Sequence, residues 1–217
     1  MKYSKQVKKT LKLLQQISEE LERACEGKLS TDDITPDRLL WEIFNKIFSI
    51  LVICKNCLLQ KDSLTTHLVS RYTYEMLVVF GYIFQGKSAT KKEKKAGQFL
   101  RFNQFRSSKR KWTDKTLSDM IKNISNNQRF AKHQKHYRNL SNFAHPTNDS
   151  FLLNRRGEDC EFLMILNTTL LTIRIILEII KICFEDNLYF DDQHKKMFNL
   201  VEISSSADIL MKELEAF

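Results

Sequence analysis

An all-α fold is what this sequence predicts, and three observations predict it. Two prolines and five glycines in 217 residues leave few places where a helix must break. Apolar residues recur at steps of three and four through several long stretches, the pattern of a helix with one buried face. Strict alternation of apolar and polar residues, the pattern of a half-buried strand, does not extend over any useful length. The length suits one well-buried domain with appendages rather than two full domains. The expected architecture is a single up-and-down helical bundle with an N-terminal helix and a basic outer helix.

Taken in order, Val7, Leu11, Leu14, Ile17, Leu21 and Ala24 predict an amphipathic helix from Met1 to Glu26, stopped by Gly27, with a charged and solvated opposite face. A polar connection over 28–35 follows. Thr35 can cap the next helix, Pro36 fits its first position, and Asp37 complements the positive end of its dipole. That helix is expected to reach about Gln60, burying a face of Trp41, Phe44, Ile47, Phe48, Leu51 and Val52. A third helix covers Ser63 to about Gln85, with Gly81 permitting close packing. Residues 88–106 read as a helix and 107–112 as a basic turn, after which Thr113 caps a further helix. Ser125-Asn126-Asn127 marks a break before a helix from about Gln128 to Ala144. Glu158 and Asp159 open a long apolar helix running to about residue 185. Its apolar stretch is long enough to be weighed as a membrane span. However, Asn167, Arg174, Glu178, Lys181 and Glu185 form a polar stripe that lipid tolerates poorly, so a bundle helix and no membrane association are expected. From about Phe190 the pattern gives a short helix, an interruption at Ser204-Ser205-Ser206 and a final amphipathic turn with Ile209, Leu210 and Leu214. The resulting division is an N-terminal helix and linker (1–35), a central bundle (36–186) carrying a basic insertion (87–112), and a peripheral C-terminal segment (187–217).

Five cysteines, an odd number, with no signal peptide ahead of them point to free thiols in a reducing compartment, and hence to the cytoplasm. Cys54 and Cys57 stand in a Cys-x-x-Cys arrangement, but no second ligand pair at a compatible spacing accompanies them. They read as core residues, and neither a metal nor a cofactor is expected.

The net charge of +9 is regional. From Lys87 to Arg138 there are sixteen Lys or Arg residues against Glu93, Asp114 and Asp119, a net of +13, so the rest of the chain sums to −4. Phe99, Phe102, Phe105 and Trp112 are interleaved with Arg101, Arg106, Lys109, Arg110 and Lys111. Aromatic rings among cations suit single-stranded nucleic acid, where bases stack and phosphates are neutralised. The same rings can instead anchor a helix to the core. Lys132 and Lys135 extend the basic run towards the most distinctive stretch, Tyr137-Arg138-Asn139-Leu140-Ser141-Asn142-Phe143-Ala144-His145-Pro146.

On a helix, seven steps of about 100° bring Arg138 and His145 to one face, roughly 10 Å apart along the axis. Ser141 and Asn142 lie between them, and Pro146 places His145 at the helix end. Imidazole moves protons near neutral pH, and guanidinium offers a planar fork of donors to phosphate oxygens. Such a pair can cleave RNA without a metal. The ribose 2′-hydroxyl attacks its own phosphate, His145 serves as base or acid, and Arg138 stabilises the developing charge.

These residues resemble the R-x4-6-H motif of HEPN domains, an all-helical family that includes many metal-independent ribonucleases. Arg138, Asn139 and His145 carry the likeness, and the run from Ser141 to Pro146 is similar to a branch found in bacterial defence and toxin loci. The resemblance spans roughly residues 36–186 and implies a homodimer with His145 near the two-fold axis. It also implies RNA as substrate and Asn139 as a polar assistant, with Ser141 and Asn142 as supporting residues. Arg71 and Glu75, four apart on the third helix, have similar counterparts in that branch and are expected to support the site; a cognate antitoxin or defence-system partner is a further expectation. Non-catalytic RNA-binding, nucleotide-binding or adaptor members form the alternative.

Overall fold

The computed structural model describes residues 3–26, 35–84, 88–105, 113, 115–124, 158–185 and 198–215. Every regular element among them is a helix, and the helices pack as an all-α bundle. Helix α1 spans Ser4–Cys25, α2 Pro36–Gln60, α3 Ser63–Phe84, α4 Ala89–Phe105, α5 Leu117–Ile124, α6 Glu158–Glu185 and α7 Leu200–Glu215.

Local chemistry sets several of these ends. Thr35 is extended and its hydroxyl accepts from the Arg38 N–H at 3.2 Å, with Pro36 opening the helix and Asp37 in its first turn. At the other end of α2, Lys61 adopts a left-handed conformation (φ 57°, ψ 38°), which reverses the chain within two residues. Asp62 then caps α3, its carboxylate accepting from the Thr65 N–H at 2.9 Å and the Thr65 hydroxyl at 2.6 Å. Those bonds hold the Asp62 carboxyl below the usual carboxylate range. The cap of α5 is Thr116, not Thr113. Thr116 and Asp119 form a reciprocal capping box, Thr116 Oγ1 accepting from the Asp119 N–H at 3.1 Å and Asp119 Oδ2 from the Thr116 N–H at 3.0 Å. Thr113 accepts only from the Lys115 N–H in the preceding loop, at 3.3 Å.

Contacts at the helix ends fix directions. Tyr3 stacks against Phe162 with centroids 6.3 Å apart, and the Lys61 ammonium lies 5.9 Å from the same ring. The starts of α1 and α6 and the end of α2 therefore share one end of the bundle. His67 meets Thr168, so α3 and α6 run parallel and form the most extensive helix pair in the bundle. Both helices bury many polar side chains, and His67 and Thr168 meet where the helices pack together. Ser63, Thr66, His67, Ser70 and Thr73 of α3, and Thr168, Thr169 and Thr172 of α6, are all buried. Small side chains let the two backbones approach, while Tyr74, Leu77, Val78 and Phe84 of α3 pack with Ile173, Ile176, Ile179 and Ile180 of α6 in one hydrophobic core.

The described part of the C-terminal segment is not peripheral. Helix α7 runs unbroken through Ser204-Ser205-Ser206, and Ile203, Ala207, Leu210 and Leu214 at steps of three and four are buried in the common core. Burial of that stripe outweighs the modest helix propensity of three serines. Of the final turn's apolar residues, Leu210 and Leu214 are buried and Ile209 faces solvent. Helix α7 lies antiparallel to α1: Lys9 pairs with Glu213, and the buried Glu20 accepts from the Asn199 N–H at 2.8 Å, just ahead of the first turn of α7. The charged side of α1 is thus partly enclosed. On α6, Arg174 reaches Asp208 of α7 at 3.4 Å, so the polar stripe read from sequence serves in part a helix contact. The stretch Cys160–Cys183 is long and apolar enough to cross a membrane, but 72% of its apolar window is buried within the bundle.

Candidate functional site

Of the catalytic, supporting and phosphate-binding residues assigned on sequence grounds, the structure describes three, Arg71, Glu75 and Arg101. Arg138, Asn139, Ser141, Asn142 and His145 lie outside the described residues, as do Arg106, Lys109, Arg110, Lys111, Lys132 and Lys135, together with the expected helix over 128–144.

Arg71 and Glu75 occupy adjacent turns of α3 and are joined, Nε to Oε1, at 3.0 Å. Both side chains are partly exposed, so the pair contributes a few tenths of a kcal/mol and mainly fixes where the two groups point. Glu75 lines a groove of about 410 Å³ between α2, α3 and α4, with Glu42 and Lys46 of α2 and Tyr72 of α3 at its polar rim. Glu42 is itself paired with Arg38 at 3.0 Å, and Lys46 donates to the Tyr72 hydroxyl at 3.2 Å. The floor is apolar, made by Leu39, Ile43, Met76, Val79, Phe80, Ile83 and Phe99.

Phe99 follows the second of the two readings open to it, anchoring α4: it is partly buried against the core. Helix α4 is fastened by Ala96 and Leu100 as well, and Lys95 sits over the Tyr82 ring, 3.2 Å from its centroid. The other side of α4 carries Lys91, Lys94 and Arg101, all exposed. With Lys115 and Lys122 exposed around α5, the described part of the basic window presents cations to solvent while Ala96, Leu100, Met120 and Ile121 are buried. Such a face attracts phosphates without selecting sequence.

Cys54 is buried, and burial reinforced by the neighbouring Cys57 pushes its thiol up to about 12. Burial likewise raises Cys57, partly offset by a hydrogen bond with Thr66. A thiol held protonated in this way is a poor nucleophile and a poor metal ligand. None of the five cysteines forms a disulfide.

One buried polar group escaped the sequence reading. His67 is almost wholly enclosed, its Nδ1 within 2.7 Å of the Ser63 carbonyl oxygen and its Nε2 3.4 Å from Thr168 Oγ1. The short contact requires Nδ1 to carry the proton and donate, which leaves Nε2 facing the threonine hydroxyl as acceptor. Desolvation lowers the pKa of the imidazole below its ordinary value, the hydrogen bond with Ser63 opposing it. The available signal was His67 at helical spacing from Ser63, Ser70 and Tyr74, but a lone histidine in an apolar helix has no spacing that separates core from surface. Comparison of the chain with protein-family models, with curated proteins and with solved structures gives no match.

Proposed function

We propose that this protein is a HEPN-type endoribonuclease that cleaves RNA without a metal ion, acting as a homodimer in a toxin or phage-defence setting. The observation that carries the reading is the sequence Arg138-Asn139-x5-His145, with a guanidinium and an imidazole one heptad apart ahead of Pro146. Two further features support it. The chain is an all-α bundle, and α4, at the start of the basic window that leads to Arg138, turns Lys91, Lys94 and Arg101 to solvent.

In this mechanism Arg138 grips the scissile phosphate and lowers the barrier by countering charge that develops on its oxygens. His145 takes the proton from the 2′-hydroxyl or returns one to the departing 5′-oxygen, leaving a 2′,3′-cyclic phosphate. The electron pair of the 2′-oxygen forms the new P–O bond as the P–O5′ bond breaks, so no cofactor is consumed. Asn139, Ser141 and Asn142 hold the ribose or the phosphate.

The test is incubation of the purified chain with mixed RNAs in EDTA. Cyclic-phosphate ends are expected, falling by at least about 100-fold in His145→Ala, the scale of a lost acid–base group. Arg138→Ala is expected to lose cleavage while keeping much of the binding. RNA that stays intact yet shifts on a gel would replace the nuclease with a binding or adaptor module of the same fold.

A further inference from the structure

No step of the cleavage proposed for Arg138 and His145 uses the groove between α2, α3 and α4. Its volume of about 410 Å³ lies in the range of small-ligand sites, and its make-up is theirs too, an apolar floor with a few polar groups at the rim. The bond between Lys46 and Tyr72 ties α2 to α3 at one place along it. Glu42 stands one turn back from Lys46 on α2, and Glu75 about one turn on from Tyr72 on the antiparallel α3. Both carboxylates therefore border the same stretch of the groove.

The polar groups of the α2 wall keep bonding capacity to spare. Glu42 and Lys46 are four residues apart, yet each is engaged elsewhere: Glu42 Oε1 accepts from Arg38 Nε at 3.0 Å, and Lys46 Nζ donates to the Tyr72 hydroxyl at 3.2 Å. Those bonds do not use the second carboxylate oxygen of Glu42 or the other N–H groups of the ammonium. The wall thus sets an anionic acceptor and a cationic donor roughly 6 Å apart along the helix axis.

Charge narrows what can enter. Glu42 and Glu75 line the groove, each paired with an arginine of its own helix, and Lys46 is the lining cation. An ammonium ligand would meet two carboxylates that already hold partners and a lysine that repels it. A carboxylate ligand would meet two like charges. A neutral flat ring suits both the floor and the rim, provided its polar edge gives donors to one group and an acceptor to the next. The Watson–Crick edge of guanine has that order. Its N1–H and N2–H lie side by side, a match for one carboxylate, and O6 beside them accepts from an ammonium. Adenine puts an acceptor where guanine has N1–H, and a pyrimidine offers only one donor group on this edge.

We infer that the groove binds a guanine base, with Glu42 accepting from N1–H and N2–H, Lys46 donating to O6, and the ring lying against Met76, Val79 and Phe99. The base can belong to a free nucleotide or to single-stranded RNA, whose unstacked bases are read on this edge. Phe99 and the exposed Lys91, Lys94 and Arg101 share α4, which is about 10 Å across, so a strand held by those cations passes close to the groove. If RNA is the source, the inference rests on the nuclease reading and deepens it by naming the base selected.

Binding of GMP, IMP and AMP to the full chain is measured by isothermal titration calorimetry, alongside Glu42→Gln, Lys46→Met and Met76→Trp. Circular dichroism and thermal unfolding verify the fold. Met76→Trp fills the floor and spares the rim, so the test stands even where a rim variant unfolds. GMP is expected to bind at least about tenfold more tightly than AMP, the scale of one hydrogen bond to a charged group, with IMP, which lacks the N2 amine, between them. Each groove variant is expected to weaken GMP by at least about tenfold, and Lys55→Met, at an exposed position of α2 outside the groove, to leave it unchanged. Equal binding of GMP and AMP, no binding of GMP at about 1 mM, or insensitivity of GMP to all three groove variants overturns the inference. Pentanucleotides separate the sources: r(UUGUU) binding at least about tenfold more tightly than both GMP and r(UUAUU) assigns the site to RNA, and r(UUGUU) binding no more tightly than GMP assigns it to the free nucleotide. RNA cut by a chain that does not bind GMP removes the guanine site and keeps the nuclease; GMP bound by a chain that leaves RNA intact does the reverse.

Discussion

At the scale of single residues the α3–α6 seam invites two measurements. His67 titrates below its ordinary pKa in the folded chain because burial disfavours the imidazolium. The unfolded chain therefore binds more protons than the folded one between the folded pKa and about 6.5, the ordinary value for histidine, and stability rises with pH there. Stability should be complete above about pH 6.5 and be lost progressively as pH falls towards the folded pKa. Replacing His67 by Gln, which keeps an amide N–H for the Ser63 carbonyl, should flatten that part of a plot of Tm against pH between 7.5 and 5. An unchanged slope would move the effect to another group. Ser70 makes the opposite case. Its hydroxyl is buried without a hydrogen-bond partner among the described residues, so Ser70→Ala should leave stability unchanged or raise it by up to about 1 kcal/mol, read by chemical denaturation. Sequence periodicity identifies α3 as a helix but is silent on this seam, since Ser, Thr and His at core positions look like surface residues until the partner helix is known.

At the scale of elements, legibility follows whether the stop and start signals are local. Thr35-Pro36-Asp37 specifies the start of α2 through one hydroxyl, one fixed φ and one charge, all adjacent, and the structure begins the helix there. Thr35→Ala should cost about 1 kcal/mol in thermal or denaturant unfolding, the ordinary worth of an N-cap. Thr113 and Thr116 both precede α5, and choosing between them required seeing that only Thr116 has an acidic partner three residues on. Helix α7 departs from the sequence expectation for a non-local reason. Three serines weaken it by propensity, and what holds it is the burial of Ile203, Leu210 and Leu214 together with Glu20 at its N-terminus, all supplied by distant parts of the chain. Leu210→Ala should therefore destabilise the whole bundle by roughly 2–5 kcal/mol with a single unfolding transition, the cost of a core cavity. A small loss with early melting of α7 alone would restore a peripheral role for this helix. Val52 shows the converse: its spacing fits the broad apolar face of α2, yet it is exposed, because periodicity does not mark where the buried side of a helix ends.

At the scale of the whole molecule the decisive feature is the separation of charge, +13 between Lys87 and Arg138 and −4 elsewhere. Composition alone made that legible, and the described structure adds its orientation on α4, where Ala96, Phe99 and Leu100 turn inward and Lys91, Lys94 and Arg101 turn outward. The expected catalytic pair could be read only as a spacing along the chain, because what brings Arg138 and His145 to a substrate is tertiary geometry that spacing does not encode. Electrostatic binding, by contrast, is testable through its salt dependence. Each phosphate neutralised on a single strand contributes a slope of about −0.7 in log K against log salt, through release of condensed counterions. If Lys91, Lys94 and Arg101 each meet a phosphate, converting all three to Gln should flatten the slope by about 2 and weaken binding of unrelated RNA sequences by similar factors. Converting Lys5, Lys8 and Lys12 on α1, equally exposed but outside the basic window, removes the same net charge and should change the slope far less. Equal effects from the two sets would mean that RNA responds to overall charge and that α4 is no interface. A selective effect of the α4 set, with His145→Ala leaving the slope intact and removing cleavage, would separate the surface that captures RNA from the residue that cuts it.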